Sequence, residues 1–241
     1  MQSDPGWTAQ DLAGTVAAAG VWWELATAGV EPLTPGLVDV RRRVGRLVAE
    51  TGRSDATVSL RAPAGTALVQ ALSDAGRAVH AAGHGPPRQH GRVAGIHVSN
   101  GGVPKMPVES VAVGWRGLAG DRQASRRHHG RIWQAISLWS AEAIAMLVRE
   151  GHPIFPGAAG ENVTVAGIDW GSLRPGTRLQ VGEALLEITM PALPCAKNAR
   201  WFRDGDFNRM HHERQLGVSR LYALVVVPGQ VTLSDGILVE P

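Results

Sequence analysis

The stretch Pro156-Gly157-Ala158-Ala159-Gly160-Glu161-Asn162-Val163-Thr164-Val165-Ala166-Gly167 joins a small-residue turn to an apolar strand and sets a carboxylate and an amide at the junction. The paired glycines open backbone conformations closed to other residues, and the run from Glu161 to Val165 has strand composition. A strand entered this way aims Glu161 and Asn162 at the mouth of the structure it builds. Side chains of this kind also serve simply to satisfy the backbone groups of a loop.

The same strand grammar extends on both sides. Arg92 to Val98 alternates, and Val108 to Val113, Arg178 to Val181, Leu185 to Met190 and Leu221 to Val227 are β-rich. A closing pair, Val231 to Leu233 and Ile237 to Val239, flanks Ser234-Asp235-Gly236, whose Asp-Gly step predicts a hairpin. One helix interrupts the strands. It has Ser140 as N-cap and Glu142 in its first turn, carries Ile144, Leu147 and Val148, and stops at Gly151. Many short strands separated by turn residues predict a closed or nearly closed barrel.

The first 90 residues have a different character. Apolar residues at helical spacing predict helices over Thr8 to Ala28, from Thr34-Pro35 to Gly52, and over Ala64 to Ala82, with a short strand from Thr57 to Leu60. His84-Gly85-Pro86-Pro87-Arg88-Gln89-His90-Gly91 then breaks the pattern and is read as a linker or long connection. The chain therefore divides into a mostly helical region, 1–90, and a β-barrel domain, 91–241. The fold class is α+β, mainly β. His80, His84 and His90 lack a carboxylate or thiol companion and are not read as a metal site.

Composition excludes several classes. The 241 residues are 19% charged and 44% apolar, which suits one or two globular domains rather than a fibrous or disordered chain. The net charge of +3 is spread evenly: nine Arg stand against eight acids before Ala94, and fifteen Arg or Lys against thirteen acids from there on. That distribution gives no electrostatic footprint for nucleic acid. No apolar run reaches the ~20 residues of a membrane span, and Met1 to Pro5 lacks an export pattern, so a cytoplasmic protein is expected. The single cysteine, Cys195, excludes an internal disulfide and any iron–sulfur cluster held by this chain alone. No strand is followed by Gly-x-Gly-x-x-Gly, so no flavin or nicotinamide site is expected.

Two further stretches carry candidate chemistry. In the first, Gly117 to Arg131, glycines bracket Asp121 and precede Arg122, and Arg126, Arg127, His128, His129 and Arg131 crowd together. Arginine forks, imidazoles and glycine-exposed amides suit an anion, and a polar surface loop is the bland alternative. In the second, Met190-Pro191-Ala192-Leu193-Pro194-Cys195 ends a strand, with Lys197 and Arg200 just beyond. A thiol beside cations at the start of a helical turn favours the thiolate, whereas a lone cysteine elsewhere is often buried filler. Trp133, Trp139, Trp170 and Trp201 could stack on a ligand, but aromatic residues near strands are more often core, and no site role is assigned to them.

Together, Gly-Leu-x-Gly-Asp-Arg at 117–122, His-Gly at 129–130, the quoted stretch at 156–167 and Pro-x-x-Pro-Cys at 191–195 resemble the MOSC domain, named for the C-terminal domain of molybdenum cofactor sulfurases. The resemblance spans about Val93 to Pro241. It implies a MOSC-type β-barrel with peripheral helices and a site for the molybdenum cofactor, molybdopterin, in which Cys195 ligates molybdenum. Asp121, Arg122, His128, His129, Glu161, Asn162, Lys197 and Arg200 would line or orient that cofactor. Ser125 and Arg131 depart from reductase-like relatives, which commonly carry an acid and a second glycine there.

Stand-alone members imply a molybdenum-dependent oxidoreductase that reduces an N-hydroxylated or other N-oxygenated small molecule, with electrons from a separate donor protein. Sulfurase-type members imply a sulfur carrier, with a persulfide on Cys195 loaded by a cysteine desulfurase in trans. A degenerate binding module with an inert Cys195 is the third class. Lys105 and Lys197 are the only lysines and both lie in the MOSC-like part, so the chain has no pyridoxal-phosphate domain and that cofactor enters by family association alone. Dimerisation is left open.

Overall fold

The computed structural model describes residues 42, 70, 73–74, 76–78, 80–124, 131–212 and 214–240. The helices expected over Thr8 to Ala28 and from Thr34 to Gly52, and the strand from Thr57 to Leu60, lie outside the described residues. Of the third expected helix, residues 70, 73–74 and 76–78 are helical, and a π-turn, His80–His84, follows.

Eleven strands are assigned in the described part: β1 (Gln89–Val98), β2 (Met106–Pro107), β3 (Ser110–Gly114), β4 (Gly117–Leu118), β5 (Ile136–Ser140), β6 (Val163–Ala166), β7 (Arg178–Val181), β8 (Ala184–Pro191), β9 (Leu221–Val227), β10 (Gly229–Thr232) and β11 (Gly236–Glu240). Seven close on themselves in the order β1, β11, β7, β8, β9, β5, β6 and back to β1, which leaves the ring without an unpaired edge. All pairings in the ring are antiparallel except β5 with β6, which helix α1 (Ala141–Arg149) joins. This is the mainly β barrel with few helices that the strand grammar predicts.

Alternation fills the barrel. Val93, Leu138, Val163, Leu179, Leu186, Ala223 and Val239 are buried in one apolar cluster, and the short sheet β10-β3-β4 adds Val111, Val113, Leu118 and Val231 to it. A second cluster lies on the other side of β5, where Trp139 packs with Ile144 and Leu147 of α1 and with Phe202 and Met210. The Trp139 indole also donates to Val218 O at 2.8 Å. Strand β5 is thus buried throughout. A strand covered on both faces loses its alternation, which is why this one is not predicted from the sequence.

Two expectations need correction. The His84 to Gly91 stretch is not wholly a linker, because β1 begins at Gln89 and pairs Gln89 to Arg92 with β11. Gly91 marks a close approach rather than a break: a Cβ there would stand 2.5 Å from Ala166 O. The Asp-Gly step is a turn but not a hairpin. Asp235 N donates to Thr232 O at 3.0 Å, the Asp235 carboxylate accepts from Thr232 N at 2.7 Å, and Ser234 takes φ 73°. The chain then leaves β10 on β3 for β11, which pairs with β1 and β7 in the barrel.

The residues preceding β1 are tied to the barrel wall through a charge inside a strand. Glu187 of β8 is 2% exposed and meets Arg77 at 2.5 Å and Arg178 at 3.2 Å. Pairing is what makes a carboxylate tolerable at so buried a strand position.

Helix α1 is where sequence and local structure agree most closely. Ser140 is extended, its Oγ accepts from the amides of Glu142 and Ala143 at 3.1 Å, and it donates to the Glu142 carboxylate at 2.7 Å. Replacing Ser140 by Ala removes that cap. The expected cost is about 1 kcal/mol, read as a lower urea midpoint with an unchanged slope.

Candidate functional site

Strand ends determine the site. Antiparallel β8 and β9 pair Pro191 with Leu221, and Ala192 N donates to Arg220 O at 2.8 Å, so the chain leaving β8 and the chain entering β9 lie side by side. Cys195 comes four residues after Pro191 and Arg220 one residue before Leu221, which puts both at the same end of the barrel. Ser137 of β5 is the register partner of Tyr222, and Asn162 directly precedes β6. The loop after β1 and the residues after β4 complete the wall of a cleft of about 320 Å³. That volume lies at the small end of the range of ligand sites.

Cys195 is exposed at this cleft. Its extended backbone leads into a 3-10 turn, Ala196–Trp201, in which Asn198 N donates to Cys195 O at 2.9 Å. The Asn198 side chain is 1% exposed, and its amide donates toward Sγ at 4.0 Å. Exposure is unusual for a cysteine, which ordinarily packs as a small hydrophobe.

The floor of the cleft is organised by Asp121. One carboxylate oxygen accepts from Ser99 N at 2.8 Å, and the other accepts from Lys105 Nζ at 2.5 Å and from Asn162 Nδ2 at 2.9 Å. Asn162 in turn accepts from Ser137 N at 3.1 Å and donates to His97 O at 3.4 Å. Burial lowers the Lys105 pKa, against the pull of the Asp121 carboxylate.

The sequence-derived candidates are distributed unevenly. Arg122, Asn162, Cys195 and Lys197 come together around the cleft. Asp121 stands behind them, holding Lys105 and Asn162. Glu161 is fully buried, accepting from Gly157 N at 2.5 Å and Thr164 Oγ1 at 3.4 Å. It braces the Gly157 to Gly160 turn from within instead of facing the mouth, and burial raises its pKa. Arg200 is exposed, donates to Val103 O and stacks on Trp201 with its guanidinium carbon 4.6 Å from the ring centroid. His128 and His129 lie outside the described residues, as do Arg126 and Arg127. Arg131 is buried, 5.8 Å over Trp133 and 3.4 Å from the Gln134 side-chain oxygen.

Among the cleft residues to which the sequence reading gives no role are Ser137, Asn198, Arg220 and Tyr222. Three of them carry a buried polar atom without a hydrogen-bond partner, namely Ser137 Oγ, Asn198 Oδ1 and Arg220 Nε. The signal that gathers them is strand pairing, since Arg220 precedes β9 just as Cys195 follows β8.

Residues 125–238 match the family model of the MOSC domain. The chain carries this MOSC-domain match over just under half of its length. A MOSC domain is molybdenum-cofactor-sulfurase-like and is associated with binding of that cofactor. Two curated relatives are similar to this chain. YflK of Bacillus subtilis is 29% identical over 133 residues, covering 54% of this chain and 59% of the relative. YiiM of Escherichia coli is 30% identical over 120 residues, covering 48% of this chain and 53% of the relative. The chain thus spans little more than half the length of each.

Among solved structures, the YUAD protein of Bacillus subtilis superposes with a TM-score of 0.50 at 22% identity, covering 63% of this chain and 96% of that one. YiiM of Geobacillus stearothermophilus gives 0.50 at 24%, covering 64% and 76%. These likenesses establish the MOSC fold. No helix among the described residues is long and apolar enough to cross a membrane.

His97 gives this region a pH dependence. The ring is 3% exposed, and its pKa falls from 6.5 to about 4, mainly through burial and secondarily through the Lys105 charge. The unfolded chain therefore takes up a proton near pH 6.5 that the fold refuses until about 4. Stability is lost as pH falls through that window. His212, buried and stacked on His211, has its pKa lowered to about 4 and acts in the same direction. Urea midpoints measured from about pH 7 to about pH 4 should fall less steeply in His97→Gln than in the parent, with the His212 contribution remaining.

Proposed function

We propose that this MOSC domain binds the molybdenum cofactor in the cleft, with Cys195 Sγ as a ligand to molybdenum, and reduces a small N-oxygenated substrate. The observation that carries the reading is the exposed thiol at the rim of a cleft whose walls hold unpartnered buried polar atoms. A soft thiolate suits a metal already coordinated by sulfur. The residues present fit such a group: Ser137 and Asn198 offer hydrogen-bonding capacity that the protein itself leaves unused, and exposed Arg122 and Lys197 offer positive charge to an anionic molecule.

When bound, the cofactor supplies a two-electron redox centre. The chain's own residues do the positioning. Asn198 is locked by burial and by its bond to Cys195 O, and its amide holds Sγ in one direction. Asn162 is fixed by Asp121 and Ser137, so its wall of the cleft is rigid before any ligand arrives. Tyr222, braced edge-on by Trp133 at 6.2 Å, adds a fixed side chain to the cleft lining. Electrons come from a separate donor protein, because the sequence carries no motif for a flavin, a nicotinamide or a cluster.

Protein expressed in cofactor-competent cells should hold about one molybdenum per chain, and Cys195→Ala should abolish loading. Metal analysis combined with detection of released pterin makes the measurement. A parent chain with neither metal nor pterin rejects the reading. The exposure of Cys195 also suits a sulfur carrier, since a macromolecular donor can reach it. In that case a cysteine desulfurase adds one sulfur mass to Cys195, and the chain stays free of metal.

A further inference from the structure

Arg220 is a buried cation to which the described residues give no counterion. Its side chain lines the cleft although the residue is only 7% exposed, and Nε has no hydrogen-bond partner. None of the ion pairs among the described residues includes it. The other buried cation nearby, Lys105, is matched by Asp121 at 2.5 Å. The acid that Arg220 does feel, Glu161, is fully buried, makes no ion pair with it, and spends one oxygen on Gly157 N. A charge withdrawn from water without a partner is costly, so a fold that retains one commonly has a ligand to match it.

The surroundings say what kind of ligand. A Cβ on Gly160 would stand 3.9 Å from Arg220 Nη1, which places the guanidinium against the glycine turn at the cleft wall. Arg220 lies two positions before Tyr222, the register partner of Ser137, whose Oγ is an unused donor lining the same cleft. Arg122 and Lys197 add positive field at the rim. A planar guanidinium fork, a hydroxyl and flanking cations match the tetrahedral oxygens of a phosphate group.

We propose that Arg220, with Ser137 on the neighbouring strand, anchors a phosphate subsite in the cleft. The phosphate belongs either to the tail of a bound cofactor or to a phosphorylated substrate. The subsite stands on the unmatched guanidinium and does not depend on molybdenum.

The test uses the full chain purified from cells that cannot make the cofactor, in a low-salt, phosphate-free zwitterionic buffer, with inorganic phosphate titrated by calorimetry. The parent should bind about one phosphate per chain, and Arg220→Gln should weaken binding by about tenfold or more. In phosphate-free buffer Arg220→Gln should melt at or above the parent temperature, because an unmatched charge has been removed. A parent that binds no phosphate, or an Arg220→Gln chain that binds as well as the parent, overturns the proposal. Should Arg220→Gln fail to fold, Ser137→Ala and Arg220→Lys decide it: weaker phosphate binding in both supports the subsite, and unchanged binding overturns it. Repeating the titration on cofactor-loaded chain separates the two sources. Loss of phosphate binding on loading assigns the subsite to the cofactor tail, and retained binding assigns it to a substrate.

Discussion

A single carboxylate holds the cleft in shape. Asp121 joins the loop after β1, through Ser99 N and Lys105 Nζ, to the segment before β6, through the Asn162 amide. The backbone repeats the connection, with Arg122 N donating to Ser99 O at 2.7 Å and His97 N to Asn162 O at 2.8 Å. Loops closing a barrel end would otherwise be free to move independently. Here one acid accepts three donors from two other segments, and losing it would strand Lys105 as an unmatched buried ammonium and leave Asn162 unfixed. Everything proposed for the cleft presupposes these fixed walls.

The legibility of the fold follows burial geometry. Strands with one face in the barrel, such as β7 with its alternating burial, announce themselves in the sequence. Strand β5 does not, because α1 and its neighbours cover the outer face and Ser137 lies at the cleft. Gly91 reads as a breaker in isolation and is in fact a contact point between β1 and the segment around Ala166. Asp235-Gly236 specifies a tight turn, yet a local signal has no means of stating that the two flanking strands pair with different partners. Non-local pairing is the information that short-range patterns lack.

The site divides along the same line. Cys195, Lys197, Asn162 and Arg122 sit on loops with distinctive composition and are found by reading those loops. Glu161 belongs to the same motif, but its carboxylate is buried and receives Gly157 N inside the turn, a placement that the sequence does not distinguish from a ligand-facing one. Arg200 reads as a companion of the thiol and instead faces Val103 O and the Trp201 ring. Arg220, Ser137 and Asn198 are invisible for the opposite reason: each sits in an ordinary strand or turn, and only the pairing of β8, β9 and β5 gathers them.

Unused polar atoms become informative only in company. His212 has two ring nitrogens without partners and Trp201 has one, yet His212 borders a void of merely 20 Å³ and Trp201 lines neither that void nor the cleft. Such isolated cases fit local strain or a bridging water as readily as a ligand. In the cleft, by contrast, a hydroxyl, an amide oxygen and a guanidinium are left unsatisfied around one space, and the only cysteine of the chain opens onto it. A barrel folding for stability alone would turn that thiol inward and give Arg220 an acid. The coincidence of both departures at one strand end is the ground for proposing a site there, since the barrel alone does not specify a chemistry.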